Sequence, residues 1–131
     1  MSIVATSRKA DVCRPLPGGC YVWIDGGSVV HVIGEVDCLT VPTFAAALDW
    51  LITHTGEYVV DLSRLEYMSV AGVGVLVDAA RSLGGRGRIV LRNPQPITRR
   101  LIDLTNLEQL VDVVITDPPP IRRANVRPVR L

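Results

Sequence analysis

The residues best suited to chemistry in this chain lie in one stretch, 61–76, around a predicted junction between a strand and a helix. Residues 58–62 predict a buried strand that ends in a loop, and a helix is predicted to begin at Ser69 or Val70, with Gly72 in its first turn. The first N–H groups of a helix have no partners within it, so an anion or an acidic group of a partner protein can dock there. The stretch therefore predicts a binding junction.

Ser69 and the glycines that follow it suggest how this junction is built. The Ser69 hydroxyl is predicted to cap the helix, a contribution of about 1 kcal/mol. Gly72 and Gly74 each disfavour a helix by about 1 kcal/mol relative to alanine, so each needs a reason. Gly72 indicates that another backbone comes close, either a strand of the same fold or a partner protein. Gly74 lies deeper in the helix and indicates packing.

Val70 and Ala71 add apolar surface to the same helix start. If they are exposed beside Val41, they form a small contact patch, and burying it would contribute about 1–2 kcal/mol of binding. The alternative is that Val70 packs inward. The two alternatives make opposite predictions about the exposure of one side chain.

A second candidate site precedes the first predicted helix, which starts near Pro42. Asp37 can accept backbone N–H groups in this loop and face the positive end of the helix dipole. Cys38 follows it, which motivates the hypothesis that oxidation of its thiol alters the loop. The three cysteines are odd in number and match no disulfide framework or zinc spacing, so no metal site is predicted.

The remaining elements follow from hydrophobic periodicity and turn residues. Asp25 and Gly26 begin a hairpin turn between strands at 21–24 and 29–33. Further strands are predicted at 88–91 and 111–115. A third helix carries Ile97, Leu101 and Leu104 as its inward stripe, with Thr98, Arg99, Arg100 and Asp103 facing water. The order β-β-α-β-α-β-α-β predicts an α/β fold, with a mixed, mostly parallel sheet and helices packed against it.

Composition limits the function. The chain has 131 residues, 48 % of them apolar and 21 % charged, and a net charge of +1, which favours one globular domain and gives no general reason to expect nucleic acid binding or membrane insertion. Residues 1–19 are predicted to be a lead-in, 20–116 the domain, and 117–131 a flexible tail rich in proline and arginine. No signal peptide is evident, so the expected location is the cytoplasm.

The order of elements and three motifs resemble the STAS domain family, whose bacterial members include antagonists of anti-sigma factors. The first motif is Gly34-Glu35-Val36-Asp37 with Thr40. The second is Ser69-Val70-Ala71-Gly72 at the helix start. The third is 97–107, which is similar to the family's third helix and the turn after it. The resemblance covers about 20–116 and implies a STAS fold.

The resemblance also implies a function and a surface for it. The chain is expected to be a non-enzymatic regulator that binds an anti-sigma factor, in some cases a serine kinase-type ATPase, and so frees a sigma factor for transcription. The implied partner-binding residues are Asp37, Thr40, Ser69, Val70, Ala71 and Gly72. Whether the protein forms a homodimer is left open.

One position departs from the family pattern. Where phosphorylatable members carry serine, this chain carries Val70, so the usual switch, in which a phosphate adds nearly two negative charges at the contact surface, is lost. Three alternatives follow: constitutive competence, phosphorylation of Ser69 instead, or control elsewhere. Ser69 is out of register by one residue, which a kinase tolerates poorly.

Other classes of function fit the sequence less well. The chain has no dinucleotide fingerprint, nucleophile elbow or phosphate-binding loop, so no enzyme activity and no cofactor are predicted. STAS domains also serve as accessory subunits of ABC-type lipid transporters, which is the main alternative. A scaffold of stress-signalling assemblies is a third, for which the chain lacks room for a sensor domain.

Overall fold

A computed structural model describes residues 19–26 and 29–117. The predicted lead-in and tail lie almost entirely outside the described residues, and their assignment stays a prediction. The strands are β1 (Cys20–Asp25), β2 (Val29–Val36), β3 (Val59–Asp61), β4 (Leu65–Met68), β5 (Ile89–Arg92) and β6 (Val113–Thr116). The helices are α1 (Val41–His54), α2 (Val70–Leu83), α3 (Pro96–Leu104) and α4 (Leu107–Leu110), with a 3₁₀ turn at Gly84–Arg86.

The strands form one mixed sheet in the spatial order β1-β2-β3-β5-β6. β1 and β2 pair antiparallel, as the hairpin signal predicted, and the other pairs are parallel. β2 is shared: its first half pairs with β3 and its second half with β4, with a shift of register between Gly34 and Glu35. The predicted α/β class with a mostly parallel sheet is confirmed.

The predicted order of elements lacked two members, β4 and α4. Residues 65–68 have buried ends and exposed middle residues, so their pattern shows neither the alternation of a half-covered strand nor a continuous apolar run. α4 is a single turn after Asn106, which takes a left-handed conformation at φ 55°. Both are too short for a periodic signal.

The core lies between the sheet and helices α1 and α2, and its largest buried side chains come from both layers. Phe44, Leu48 and Leu51, spaced at i, i+4 and i+7, supply the buried face of α1. Fully burying a side chain of this size contributes about 1.5–3 kcal/mol. This packing holds the ends of β2 and β4 side by side, where the candidate site begins.

The third predicted helix forms but turns a different face inward. Its buried residues are Thr98 and Ile102, while Ile97 is 57 % exposed and Leu104 is 71 % exposed. The prediction that Ile97 and Leu104 face the core, and that Thr98 faces water, is therefore wrong. The apolar stripe of α3 runs along one flank of the helix because the contact with β4 and α4 selects the neighbouring face.

A polar row crosses the other face of the sheet. His31, Asp61 and Arg92 occupy paired positions on β2, β3 and β5. The Arg92 guanidinium donates to Asp61 Oδ2 at 2.8 Å, and His31 stacks on Trp23 with ring centroids 4.0 Å apart. Asp61 is buried, so the row holds a carboxylate in place through its neighbours rather than through water.

Candidate functional site

Two loops that the sequence separates by 32 residues meet at the carboxyl ends of β2 and β4. Val36 and Met68 are paired positions on these strands, and the Ser69 N–H donates to the Val36 carbonyl at 2.8 Å. Asp37 follows one strand and Ser69 follows the other, so both candidate segments lie at one edge of the sheet. In open α/β sheets this edge is where ligands and partners bind.

The Asp37 loop is held by a compact set of hydrogen bonds. Asp37 Oδ1 accepts the N–H of Leu39 at 2.9 Å and that of Thr40 at 3.1 Å. Thr40 Oγ1 accepts the Asp37 N–H at 2.9 Å and donates to the Glu35 carbonyl at 2.8 Å. These side chains fix the loop that opens α1, the structural role that the type and place of Asp37 predicted.

The loop also presents two side chains to solvent. Leu39 is 84 % exposed and Cys38 is exposed with a free thiol, so the redox hypothesis for Cys38 stays a prediction with an accessible sulfur. Cys20 differs: burial, and then the nearby charge of Asp37, raise the pKa of its thiol to about 11. Its thiolate is therefore scarce at neutral pH, and Cys20 is a poor nucleophile.

Ser69 occupies the N-cap position of α2, as predicted, but it does not cap the helix through its side chain. Its hydroxyl oxygen is buried and has no hydrogen-bond partner. The prediction of a side-chain cap is therefore wrong. The backbone makes the junction instead, since the Ser69 carbonyl accepts the Gly72 N–H at 2.9 Å.

Replacing Ser69 with alanine is consequently expected to change the free energy of unfolding by less than about 0.5 kcal/mol, because no cap hydrogen bond is lost. Urea unfolding followed by circular dichroism measures this. A loss of about 1 kcal/mol or more would mean that the hydroxyl caps α2 in solution after all.

Val70, the first residue of α2, is 67 % exposed, and Ala71 is exposed beside it. The alternative in which Val70 packs inward is wrong. Val41, expected in the same patch, packs against the core instead. The apolar surface at the start of α2 thus rests on Val70 and Ala71.

The two glycines of α2 play roles that their sequence positions predicted only in part. Gly72 is buried, and a Cβ there would lie 2.6 Å from Met68 Cγ and 2.9 Å from Val36 Cγ1. The close approach is therefore inside the fold, one of the two alternatives, but it is made by side chains of β2 and β4 and not by the backbone that was expected. Gly74 is exposed, and a Cβ at that position would have no neighbouring atom within 4 Å, so the packing role expected for it is wrong.

A groove next to Val70 was not predicted. It has a volume of about 240 Å³ and lies between the start of α2, the end of β4 and the flank of α3. Its exposed apolar side chains are those of Tyr67, Val70, Ile97 and Leu104. The sequence signal for this groove was the apolar stripe of α3. Hydrophobic periodicity assigned that stripe to the core, because periodicity does not show which flank of a short helix is buried.

The described residues contain no cluster of His, Cys, Asp and Glu side chains able to hold a metal ion. No helix within 19–26 and 29–117 has the length and apolar character needed to cross a membrane. The site is thus a surface of apolar side chains, a hydrogen-bonded acidic loop and a helix start.

Comparisons with known proteins agree on one family. A family model described as "Mlab, STAS domain" matches residues 22–115. A protein of Listeria monocytogenes named anti-sigma-B factor antagonist is 31% identical over 86 residues, which is 64% of this chain and 75% of that protein. A protein of the same name from Listeria innocua matches to the same extent.

Solved structures give the same picture. An anti-sigma factor antagonist from Mycobacterium paratuberculosis superposes with a TM-score of 0.59 at 29% identity, covering 82% of this chain and 90% of that one. The antagonist SpoIIAA in its unphosphorylated form superposes with a TM-score of 0.57 at 22% identity, covering 84% and 99%. At that identity the second likeness concerns the fold alone.

Proposed function

The chain belongs to the STAS domain family, and from that premise we propose that it is a non-enzymatic regulator that binds an anti-sigma factor and so frees a sigma factor. The names of its relatives in Listeria and Mycobacterium support this proposal. In the proposal the contact surface is the edge of the sheet where the Asp37 loop meets the start of α2.

The observation that carries the proposal is the exposure of Val70. An apolar side chain that is 67 % exposed at the first residue of a helix, beside a loop fixed by its own hydrogen bonds, is suited to burial against a protein partner. Ala71 and Leu39 extend the apolar surface at the same edge. Thr40 and Gly72 support this surface without adding to it. Thr40 holds the loop in place, and Gly72 allows α2 to lie close to β2 and β4.

The mode of control follows from the same residue. Val70 carries no hydroxyl, so binding in this proposal is not switched by a phosphate at that position. Phosphorylation of Ser69 stays a prediction, and it requires the buried hydroxyl to turn outward. A kinase-type ATPase as the partner and a cytoplasmic location also stay predictions, and the question of a homodimer stays open.

Replacing Val70 with aspartate is expected to weaken partner binding about 100-fold. The change removes an apolar contact worth about 1–2 kcal/mol and forces a carboxylate into the interface without a matching cation. Affinity capture from a lysate of the source bacterium, with the wild-type and variant proteins as baits, identifies the partner by mass spectrometry. Titration of the purified partner by calorimetry then gives the two affinities.

Leu110→Asp provides the matched control, since Leu110 is 57 % exposed on α4 and lies outside the groove. It should capture the partner as well as the wild-type protein does. Enrichment of an ABC ATPase in place of an anti-sigma factor would support the transport alternative. Equal enrichment of an anti-sigma factor by wild-type protein and Val70→Asp would remove Val70 from the contact surface.

A further inference from the structure

We infer that the groove along α3 is a second half of the partner surface, and that it receives an apolar segment of the partner bearing a carboxylate that pairs with Arg100. The inference rests on the proposed function, because it places the groove's occupant on the same protein that covers Val70. It concerns a part of the surface that lies outside the Asp37 and Ser69 motifs.

The shape of the groove supports an extended apolar contact. Ile97, Leu101 and Leu104 follow one another at helical spacing along the flank of α3, over about two turns or roughly 10 Å. Tyr67 and Val70 form the opposite wall. An exposed apolar stripe of this length beside a polar rim is typical of a site that binds an amphipathic segment of another protein.

The charge of the groove indicates the chemistry of that segment. Arg100 is the only charged residue among those that line the groove. Its neighbour Arg99 is occupied, with Asp117 at 2.6 Å and Asp103 at 3.3 Å, whereas Arg100 makes no ion pair within the described part of the chain. A guanidinium at the edge of an apolar groove favours a carboxylate, which it can bind through two parallel hydrogen bonds.

Two other occupants fit less well. Residues 118–131 follow Asp117, which pairs with Arg99 of α3, but they carry four arginines and no acidic side chain, so like charge at Arg100 disfavours them. A second copy of this chain would bring its own Arg100 to the same surface. A partner that covers Val70 reaches the groove directly, because Val70 itself lines the groove.

The test uses the partner enriched by the wild-type bait over the Val70→Asp bait, purified and titrated against full-length variants by calorimetry. Arg100→Glu is expected to weaken binding at least 30-fold and Leu104→Ser about tenfold. Arg100→Lys should lose about three- to tenfold, less than Arg100→Glu, because it retains the charge but gives up the two parallel hydrogen bonds. Arg81→Glu, at an exposed position near the other end of α2, is the control for a general charge effect and should bind as the wild-type protein does.

The outcomes separate the two proposals. Loss of binding by Val70→Asp, with full binding by Arg100→Glu and Leu104→Ser, would overturn the groove inference and leave the proposed function standing. Equal enrichment of an anti-sigma factor by the wild-type and Val70→Asp baits would overturn the groove inference, which places its occupant on the protein that covers Val70. If the wild-type bait enriches no anti-sigma factor over an empty resin, both proposals fail. Tighter binding by a chain ending at Asp117 would assign the groove to residues 118–131. A dimer of the wild-type protein that Leu104→Ser abolishes in sedimentation would assign it to a second copy.

Discussion

Replacing Gly34 with alanine is expected to lower the free energy of unfolding by roughly 3 kcal/mol or more. Gly34 has a φ of +102°, a backbone conformation that costs other residues about 1–2 kcal/mol. A Cβ there would also overlap the carbonyl oxygen of Gly19. That oxygen cannot move away freely, because it accepts the Glu35 N–H at 2.8 Å, and such overpacking costs about 1–3 kcal/mol.

The effect should be visible in urea unfolding and also at the candidate site. Gly34 lies where the register between β2 and β4 shifts, directly before the segment that leads to Asp37. Gly74→Ala is the matched control, since its methyl group would meet open space and should stabilise α2 by about 1 kcal/mol. A Gly34→Ala variant within 1 kcal/mol of the wild-type protein would contradict this account of the strand.

Replacing Asp61 with asparagine is expected to lower the free energy of unfolding by about 2–3 kcal/mol at neutral pH. Asp61 is buried, and it accepts hydrogen bonds from Arg92 and from the N–H and hydroxyl of Ser63. The amide keeps the shape but loses the charge that these donors face. The cost stays below that of breaking a fully buried pair, because the Arg92 side chain is 37 % exposed and can turn to water.

The pH dependence of this difference identifies its cause. Burial alone would raise the pKa of Asp61, but the hydrogen bonds from Ser63 and Arg92 outweigh it and lower that pKa. Stability from a carboxylate with a lowered pKa is complete above its unfolded value near 3.9 and is lost as the pH falls through the folded pKa. The difference in the free energy of unfolding between wild-type protein and Asp61→Asn should therefore narrow as the pH falls below about 3.9.

Two comparisons keep this measurement specific. Burial lowers the pKa of His31, against the opposing effect of Asp61 and Asp25, so stability should begin to fall below about pH 6.5 in both proteins, and more steeply in Asp61→Asn, which lacks the opposing charge of Asp61. Asp49→Asn, at an exposed position on α1, should leave stability within about 0.5 kcal/mol. If the difference in the free energy of unfolding stays constant down to pH 2, the lost charge of Asp61 is not the cause of the lower stability.

Much of the fold could be predicted because the residues that form turns and begin or end helices act locally. Asp25 ends β1 and Gly26 lies in the turn of the observed hairpin, Pro42 lies in the first turn of α1, and Gly84 ends α2 with a φ of +58°. Each of these residues constrains its own backbone, whatever the rest of the chain does. The buried stripe of α1 could also be predicted from the spacing of its apolar residues, because a helix of 14 residues can bury only one broad face.

Where the prediction failed, the outcome depended on contacts between distant residues. α3 has nine residues, and the place where β4 and α4 touch it decided that Thr98 and Ile102 are buried. Periodicity alone favoured the more apolar flank. β4 was not predicted because its pairing with β2 needs the register shift at Gly34, and no local sequence pattern indicates that shift.

The candidate site shows the same division. Asp37 and Ser69 lie close together, as the resemblance implied, and the structure gives the reason, because both follow strands that end at one edge. The missing cap bond of Ser69 could not be predicted, because residue type gives the capacity of a hydroxyl and not its orientation. The groove beside Val70 depended on the flank that α3 exposes, so it became visible only with the tertiary structure.

The sequence of strands across the sheet has a consequence for how the protein can be made. Chain order and spatial order coincide from β1 to β6, with β4 filling the second half of β2. No strand has to be inserted between two that are already paired. A polypeptide leaving the ribosome can therefore pair each new strand with one that has already been made, in the order of synthesis. Biosynthesis and sheet growth can run in the same direction.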